Sequence, residues 1–350
     1  MQPQLNGIIL VDKAVDTNSF NVIAGMRRLC GMKRIGHCGT LDPFASGLLP
    51  VAIGRATGIV QFLTDLDKEY TVEITFGERR NTLDRDGEVI ARGSVEFDSA
   101  DEFARRLKTA AASLIGRQKQ IPPMFSAVKV AGKPLYYYAR KGEEIERKAR
   151  EITVFDATVL KCDLHGGDLP TATVRIHCSK GTYIRTWVDA LGEKLGTYAY
   201  ASELRRSGVG PFREQTSWHR MDDLFDVFNG FNREVEAMRA YLAEHVMINA
   251  AEALPDWPRL ELSKRKARDL LHGRRLELNA ADLIDAFGAN DKSTRLLLVH
   301  RDLLCAVTKP FSEILRRVHI EDPEGAGNVP VPTERILFGE DDFKALEDNK

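Results

Sequence analysis

The sequence predicts an α+β protein built around a mixed sheet, with a smaller unit toward its C-terminal end. Three observations carry that reading. Apolar and polar residues alternate over Lys68–Phe76 and again over Thr171–Cys178, as in strands that bury one face. Amphipathic helical patterns fall among the strands in no regular strand–helix–strand order, which argues against a parallel α/β sheet. The segment Leu254-Pro-Asp-Trp-Pro258 breaks both periods and marks a boundary. A chain of 350 residues that is 43% hydrophobic can bury one large core and one small one.

Taken in order, Gly7 to Val11 is an apolar run typical of a buried strand. Ser19 is placed to cap a helix carrying Phe20, Ile23, Met26, Arg27 and Leu29, and Gly31 to end it. Arg34 to Pro50 holds three glycines and two prolines, which excludes a regular helix or central strand across it; it reads as a loop leading into Leu48–Ile53. In Lys68–Phe76, Tyr70, Val72, Ile74 and Phe76 share one face. Ala100 to Ile115 is an amphipathic helix. Ile121 to Glu151 is long, basic and rich in Pro, Gly and Tyr, an ordered surface excursion of a kind that often carries function. After the strand at Thr171–Cys178, Ile184, Trp187, Val188, Leu191 and Leu195 form a helical stripe. The domains expected are 1–250 with the excursion at 121–151, a small domain over 251–320, and a loosely ordered acidic tail over 321–350.

Net charge is −1, which conceals an asymmetry. His319 to Lys350 holds nine acids and three bases, a net of −6, leaving +5 on the rest. The excess sits in three patches: Arg27, Arg28, Lys33 and Arg34; the Ile121–Arg150 excursion; and Arg259–Arg275, which includes Lys264, Lys266 and Arg268. Local basic density, rather than total charge, sets the field a phosphate backbone meets, although each patch alone reads equally as a solvated face. No run of about 18 apolar residues is present, as a membrane span would need. The start MQPQLNGIIL lacks a charged n-region and a cleavage site, so a cytoplasmic protein is expected. Five cysteines without a CxxC pair argue against a disulfide framework or a zinc site.

The chemistry concentrates at Asp42, in G39-T-L-D-P-F-A-S-G47. Asp before Pro is common in plain turns. Here, however, the carboxylate sits on a Gly- and Pro-constrained loop between two buried elements, with His37, Arg34 and Lys33 close upstream. Tyr70 alone reads as a core residue of its strand, and Arg185 alone as a surface ion-pair residue.

The stretch R34-I-G-H-C-G-T-L-D-P-F-A-S-G-L-L-P50 resembles the central motif of the TruB-type tRNA pseudouridine synthases, relatives of dyskerin. D12-K13, K68-E-Y70, P123-M-F-S-A-V-K-V-A-G-K-P-L-Y-Y-Y-A-R140, C178-S-K-G-T-Y-I-R-T186 and E203-L-R-R206 follow in family order, so the resemblance spans residues 7–225. It implies a mixed, largely antiparallel sheet core of the pseudouridine synthase type; the C-terminal residues match the family weakly, and a small, mostly-β, PUA-like RNA-binding domain is expected there from position, size and the basic patch. It implies conversion of uridine to pseudouridine at position 55 in the T loop of tRNA, with base flipping, no cofactor and no metal. The site residues it implies are Asp42 as nucleophile, Tyr70 stacked on the flipped uracil and taking part in proton removal, and Arg185 paired with Asp42. His37 would hold the RNA, Tyr183 and Leu204 would line the base pocket, and Lys13 would support the loop. The YYYAR ending at Arg140 resembles the stand-alone bacterial branch, so a monomer acting on the tRNA T arm without guide RNA is expected. Two departures stand out. Ala14 replaces the usual Pro after D-K, which weakens the expected loop support, and the usual Asp before Thr82 is missing, so Asp84 and Asp86 receive no role.

Physical reasoning runs parallel. Breaking an N-glycosidic bond and rejoining through carbon needs an ionised carboxylate, a closed pocket and exclusion of water. An opposite charge keeps Asp42 ionised, and the N-terminus of the helix bearing Arg185 adds a smaller favourable contribution. Ser126-Ala-Val-Lys129 fits S-x-x-K, but S-D-N and K-T-G are absent. The D84-R-D-G87 loop lacks calcium-ligand spacing, and Cys38 beside His37 reads as a small residue in a tight loop. Two rivals stay open at this point: a non-catalytic RNA-binding or RNA-chaperone protein, and a cofactor-free hydrolase that releases free uracil.

Overall fold

A computed structural model describes residues 5–164, 167–214, 216–288, 294–321 and 327–340. Ten strands form one sheet: β1 Gly7–Lys13, β2 Ile35–His37, β3 Ser46–Ile53, β4 Lys68–Phe76, β5 Gly116–Gln120, β6 Arg150–Asp163, β7 Thr171–Cys178, β8 Ala199–Val209, β9 Phe212–Arg213 and β10 His219–Arg220. The order is β10-β1-β3-β8-β4-β7-β6-β5, with β9 against β8 and β2 against β3. Only β1–β10 and β3–β8 pair in parallel, so the sheet is mixed and largely antiparallel, as expected.

The alternation in the sequence decides which face is buried. Val72, Ile74 and Phe76 of β4 and Ala172, Val174 and Ile176 of β7 point to one side. There they meet helices α1 Ser19–Cys30, α3 Ala100–Ser113 and the helix over Ile184–Lys194, whose Trp187, Val188 and Leu191 are fully buried. Each such side chain contributes about 1.5–3 kcal/mol relative to exposure. Phe76 meets Phe103 of α3 edge-on, with centroids 5.5 Å apart. Helices Met221–Gly230 and Val235–His245 complete this layer through Leu224, Phe228, Met238 and Leu242. On the opposite face, Ile8, Leu10, Leu48 and Ala52 pack against α2 Val60–Asp65 and against C-terminal residues.

Helix α1 differs from expectation at its start. Asn18 is the cap, accepting from the Asn21 amide at 2.7 Å, while Ser19 turns inward. Phe20 is 67% exposed, because the helix buries the Val22–Ile23–Met26 side instead. Gly31 ends the helix at φ 58°, as read. The Arg34–Pro50 segment is also more regular than expected. Strands β2 and β3 flank a loop of only Cys38–Ala45, and Pro50 lies inside β3. The Pro50 carbonyl accepts from the Cys38 amide at 2.9 Å. Its ring nitrogen faces that same side, so the ladder to β1 loses no donor.

The C-terminal residues form their own four-stranded sheet: β11 Arg259–Glu261, β12 Leu297–His300, β13 Leu303–Thr308 and β14 Thr333–Ile336. A second strand pair, Glu277–Asn279 with Asn328–Pro330, and the helices over Lys264–Leu271 and Ala280–Phe287 enclose a separate core. The expected tail over 321–350 is thereby corrected: residues 328–330 and 333–336 are strands, and Leu337 and Phe338 are buried. Two short apolar stretches among nine acids give too little periodic signal to read as strands. Residues 322–326 and 341–350 lie outside the described ones. The boundary segment is no loose hinge, since Trp257 stacks near Phe62 of α2 at 5.2 Å. Arg295 lies over both rings, at 5.1 and 6.0 Å.

Candidate active site

The Cys38–Ala45 loop is held from every side. The Ser19 hydroxyl accepts from the Leu41 amide at 3.0 Å and donates to the Leu41 carbonyl at 3.2 Å. Lys13, wholly buried, donates to the carbonyls of Ala14 (2.9 Å), Thr17 (2.5 Å) and Pro43 (3.2 Å). The support that Ala14 put in doubt is therefore present, because it comes from the lysine rather than from residue 14. Arg206 donates to the carbonyls of Leu48 (2.7 Å) and Gly39 (3.1 Å), on either side of the loop. At Gly47, φ is 100° and a Cβ would sit 2.4 Å from the Arg206 carbonyl, so only glycine lets β3 and β8 approach here.

On this loop the Asp42 carboxylate is half-buried, with Arg185 Nε 2.9 Å from its Oδ2. The Nε hydrogen has no aligned acceptor, so the pairing is by charge more than by a directed hydrogen bond. Arg185 lies in the first turn of α5, which is counted after the short α4 over Leu135–Ala139 and covers Ile184–Lys194. Its guanidinium, 3% exposed, is fully engaged elsewhere: Nη1 with Thr82 O at 2.8 Å and Asp84 at 3.2 Å, Nη2 with Phe125 O at 2.8 Å. Burial pushes the Asp84 carboxyl above the usual carboxylate range. Arg185 opposes this, as do hydrogen bonds from the Thr82 hydroxyl at 2.6 Å and the Asp86 amide at 3.1 Å.

Asp42 stands between two cavities. One, of about 610 Å³, is lined by Tyr70, Tyr183, Leu204, Lys68 and Arg206. The other, of about 670 Å³, is lined by His37, Phe20, Phe125, Tyr136 and Arg185. Tyr70 on β4 is half-buried; burial raises its hydroxyl above the ordinary phenol value, and Arg206 acts against that. Leu204 on β8 is buried. Tyr183 precedes α5, where the Gln120 side-chain amide grips its backbone through both oxygen and nitrogen (2.8 and 3.0 Å), and it lines the cavity beside Ser126. Burial, with Arg206 second, lowers the His37 imidazole below its usual value, so it stays neutral near pH 7.

Asp42, Tyr70, Arg185, His37, Tyr183 and Leu204 thus share one site, with Lys13 behind the loop. Of the basic patches, only the Ile121–Arg150 excursion lines it, through Arg150 at the first cavity and Arg140 at the second. Arg27 and Arg28 lie in the last turn of α1, and Lys33 and Arg34 are exposed beyond it. Lys264, Lys266 and Arg268 lie on the C-terminal helix Lys264–Leu271. The sequence reading missed Asp84, Gln120, Ser126 and Arg206. Arg206 had a usable signal: it is two residues from Leu204 on one strand, so both face the same side. Among the described residues, no three His, Cys, Asp or Glu side chains cluster as a metal site would require.

A carboxylate fixed against an arginine, beside a cavity walled by Tyr70 and Tyr183 and roomy enough for a flipped nucleotide, fits a site for chemistry on an extruded base. The chain belongs to the TruB family of pseudouridylate synthases. The TruB N-terminal domain matches residues 27–184, and the tRNA pseudouridylate synthase B C-terminal domain matches 185–247. The chain is 38% identical over 279 residues to the tRNA pseudouridine synthase B of Aliivibrio fischeri, covering 79% of this chain and 84% of that protein. The corresponding protein of Burkholderia lata is 39% identical over 283 residues, covering 81% of each. In fold the chain is similar to a crystal structure of a Cbf5-Nop10-Gar1 complex (TM-score 0.66, 24% identity, 96% of this chain and 86% of that one).

Proposed function

We propose that this chain isomerises uridine to pseudouridine at position 55 in the T loop of tRNA, with Asp42 as the nucleophile. The observation that carries the reading is a half-exposed Asp42 charge-paired with Arg185 on a rigid loop, facing the cavity that holds Tyr70. In the reaction the N1–C1′ bond breaks, the uracil turns within the 610 Å³ cavity, and a C5–C1′ bond forms. C5 loses its proton and N1 gains one, so composition is conserved. Asp42 supplies the negative charge at the sugar, and Arg185, 2.9 Å away, is its counter-charge where RNA shuts out water. Tyr70 stacks on the base and assists proton removal; such stacking is worth roughly 1–3 kcal/mol. Tyr183 and Leu204 bound the pocket, His37 holds the RNA beside the extracted base, and Lys13 fixes the loop.

Residues 1–250 form the catalytic unit in this reading, and the C-terminal sheet is a PUA-like unit that holds RNA by charge. The chain works in the cytoplasm as a monomer on the T arm, without guide RNA, since one chain supplies every site residue. The test is incubation of the purified chain with unmodified tRNA, and with an isolated T-arm hairpin, followed by chemical mapping of pseudouridine. Modification in the T loop of both RNAs is expected, because a base in a structured loop costs less to extract than one in a duplex. Pseudouridine only in the anticodon or D arm, free uracil, or binding without chemistry would each overturn the reading.

A further inference from the structure

Arg206 is an anomaly among the buried charges. It is 1% exposed, its hydrogen-bond partners are the Gly39 and Leu48 carbonyls, and it lies directly across β8–β4 from Tyr70, with which it lines one cavity. Unlike Arg185, it forms no salt bridge among the described residues. Its charge is felt widely: it helps lower Lys13, His37 and Lys68. A buried cation without a carboxylate is costly, and it becomes favourable where negative charge develops beside it. On the cavity side it faces Tyr70, its partner across the strand pair. On the other side it holds the two carbonyls that bracket the Asp42 loop.

We propose that Arg206 is a positioning residue for the isomerisation: it sets Tyr70, its cross-strand partner, and both flanks of the Asp42 loop into one frame, and places a positive charge beside the tyrosine that takes the C5 proton. This rests on the reading of Tyr70 given above. Tyr70 enters the step as the phenolate, its own proton having gone to solvent. The proton from C5 ends on the phenolate oxygen, and the electrons of the C5–H bond return to the ring as the C5–C6 double bond. No other reactant is needed. Burial works against the phenolate, and Arg206 is the largest influence opposing it.

The test places Arg206→Gln and Arg206→Lys in the full chain, alone and with Tyr70→Phe. It measures T-arm hairpin affinity, single-turnover rate against pH, and tyrosinate ultraviolet absorbance with Tyr70→Phe as the blank. Arg206→Gln should slow the chemical step roughly 10²–10³-fold, as loss of one charge-stabilising donor does, with affinity changed less than about threefold. Its rise of rate with pH should move to higher pH, along with the Tyr70 absorbance titration, and Arg206→Lys should recover part of both. In the Tyr70→Phe background the same substitution should cost roughly tenfold less, what remains being its lost hold on the Gly39 and Leu48 carbonyls. An equal loss in both backgrounds, or an unmoved Tyr70 titration, would mean that Arg206 only braces the fold. A Tyr70→Phe chain as fast as wild type would instead sink the Tyr70 reading, and the proposal with it. Should Arg206→Gln not fold, Arg206→Lys and the wild-type titration still decide, since a Tyr70 that never ionises before the chain unfolds also overturns the idea.

Discussion

The Asp42 loop and the basic helix α8, numbered after α6 Met221–Gly230 and α7 Val235–His245 and covering Lys264–Leu271, are built on opposite principles. The loop is short and irregular, yet it is bound at several points by buried groups: Ser19 at Leu41, Lys13 at Pro43, Arg206 at Gly39 and Leu48. Helix α8 is capped by Ser263, buries Ala267 and Leu270, and turns Lys264, Arg265 and Arg268 outward. Chemistry at a sugar carbon needs a carboxylate held to fractions of an ångström, so a substitution anywhere in its frame is felt. Attraction of phosphate needs only charge density within reach, so single residues there are replaceable. The comparison breaks if loop variants behave mildly or if helix variants affect turnover.

The largest effect is expected at Asp42 itself. Asp42→Asn keeps the shape and removes the charge. Single-turnover assays should show isomerisation reduced on the order of 10⁴-fold or more, while filter binding of tRNA stays close to wild type. Near-normal turnover would remove Asp42 from the mechanism.

Next comes the frame. Gly47→Ala puts a Cβ 2.4 Å from the Arg206 carbonyl at φ 100°. The strain and clash should cost roughly 1–3 kcal/mol or more, read as a lowered Tm together with a slower chemical step. A Tm within a degree of wild type would show that the β3–β8 contact is slack.

A smaller effect is expected from pH. Burial lowers the Lys13 ammonium to about 8, and the nearby Asp42 charge only partly restores it. Lys68 is likewise lowered to about 8. Below pH 8 both are protonated in the folded chain, and Lys13 holds the Pro43 carbonyl. Between about 8 and 10.5 the folded chain gives up these protons while the unfolded chain keeps them. The unfolded state then binds more protons, so the contribution of these two lysines to stability rises with pH across that window. On the rate Lys13 should act the other way, flattening the alkaline rise that Tyr70 gives as the loop loses a donor. Lys13→Arg, which does not titrate here, should steepen that rise if it folds; an unchanged profile would separate Lys13 from the loop's function.

The two regions also differed in how far they could be read in advance. The sheet strands were legible because Val72, Ile74 and Phe76 alternate with polar residues, a period no helix shares. Asp42 was legible through the density of Gly, Pro and His around it and through the family motif. Asp84 and Gln120 were not, because an aspartate or a glutamine acquires meaning only when long-range packing buries it, and Arg206 was legible only through its spacing from Leu204; Arg185 and Asp84 are 101 positions apart. Ser19 was misread for a related reason. Ser and Asn are equally good caps in sequence, and the tertiary contact with Leu41 decided between them. The C-terminal strands at 328–330 and 333–336 were too short for any periodic signal.

The smallest effect on chemistry, and the sharpest test of the comparison, lies on α8. Lys264 and Arg268 are exposed and Lys266 is half-buried, and none lines either cavity beside Asp42. If they contact phosphate, each contact releases condensed counterions, and the slope of log affinity against log salt steepens by somewhat under one unit per contact. Replacing Lys264, Lys266 and Arg268 together with Gln should therefore weaken tRNA binding at low salt and flatten the slope by about two units. Turnover at saturating RNA should change less than about twofold, since the Asp42 frame is untouched. The acidic segment should be tested with a chain ending at Glu340, because the strand Thr333–Ile336 and the buried Leu337 and Phe338 belong to the C-terminal sheet. That shortened chain should bind as tightly as the full one or tighter, since like charge repels phosphate. Affinities at two salt concentrations decide the matter. A triple variant with an unchanged slope makes α8 a solvated face, and one with slowed turnover at saturation ties the C-terminal sheet to the chemistry through the Trp257–Phe62–Arg295 contact.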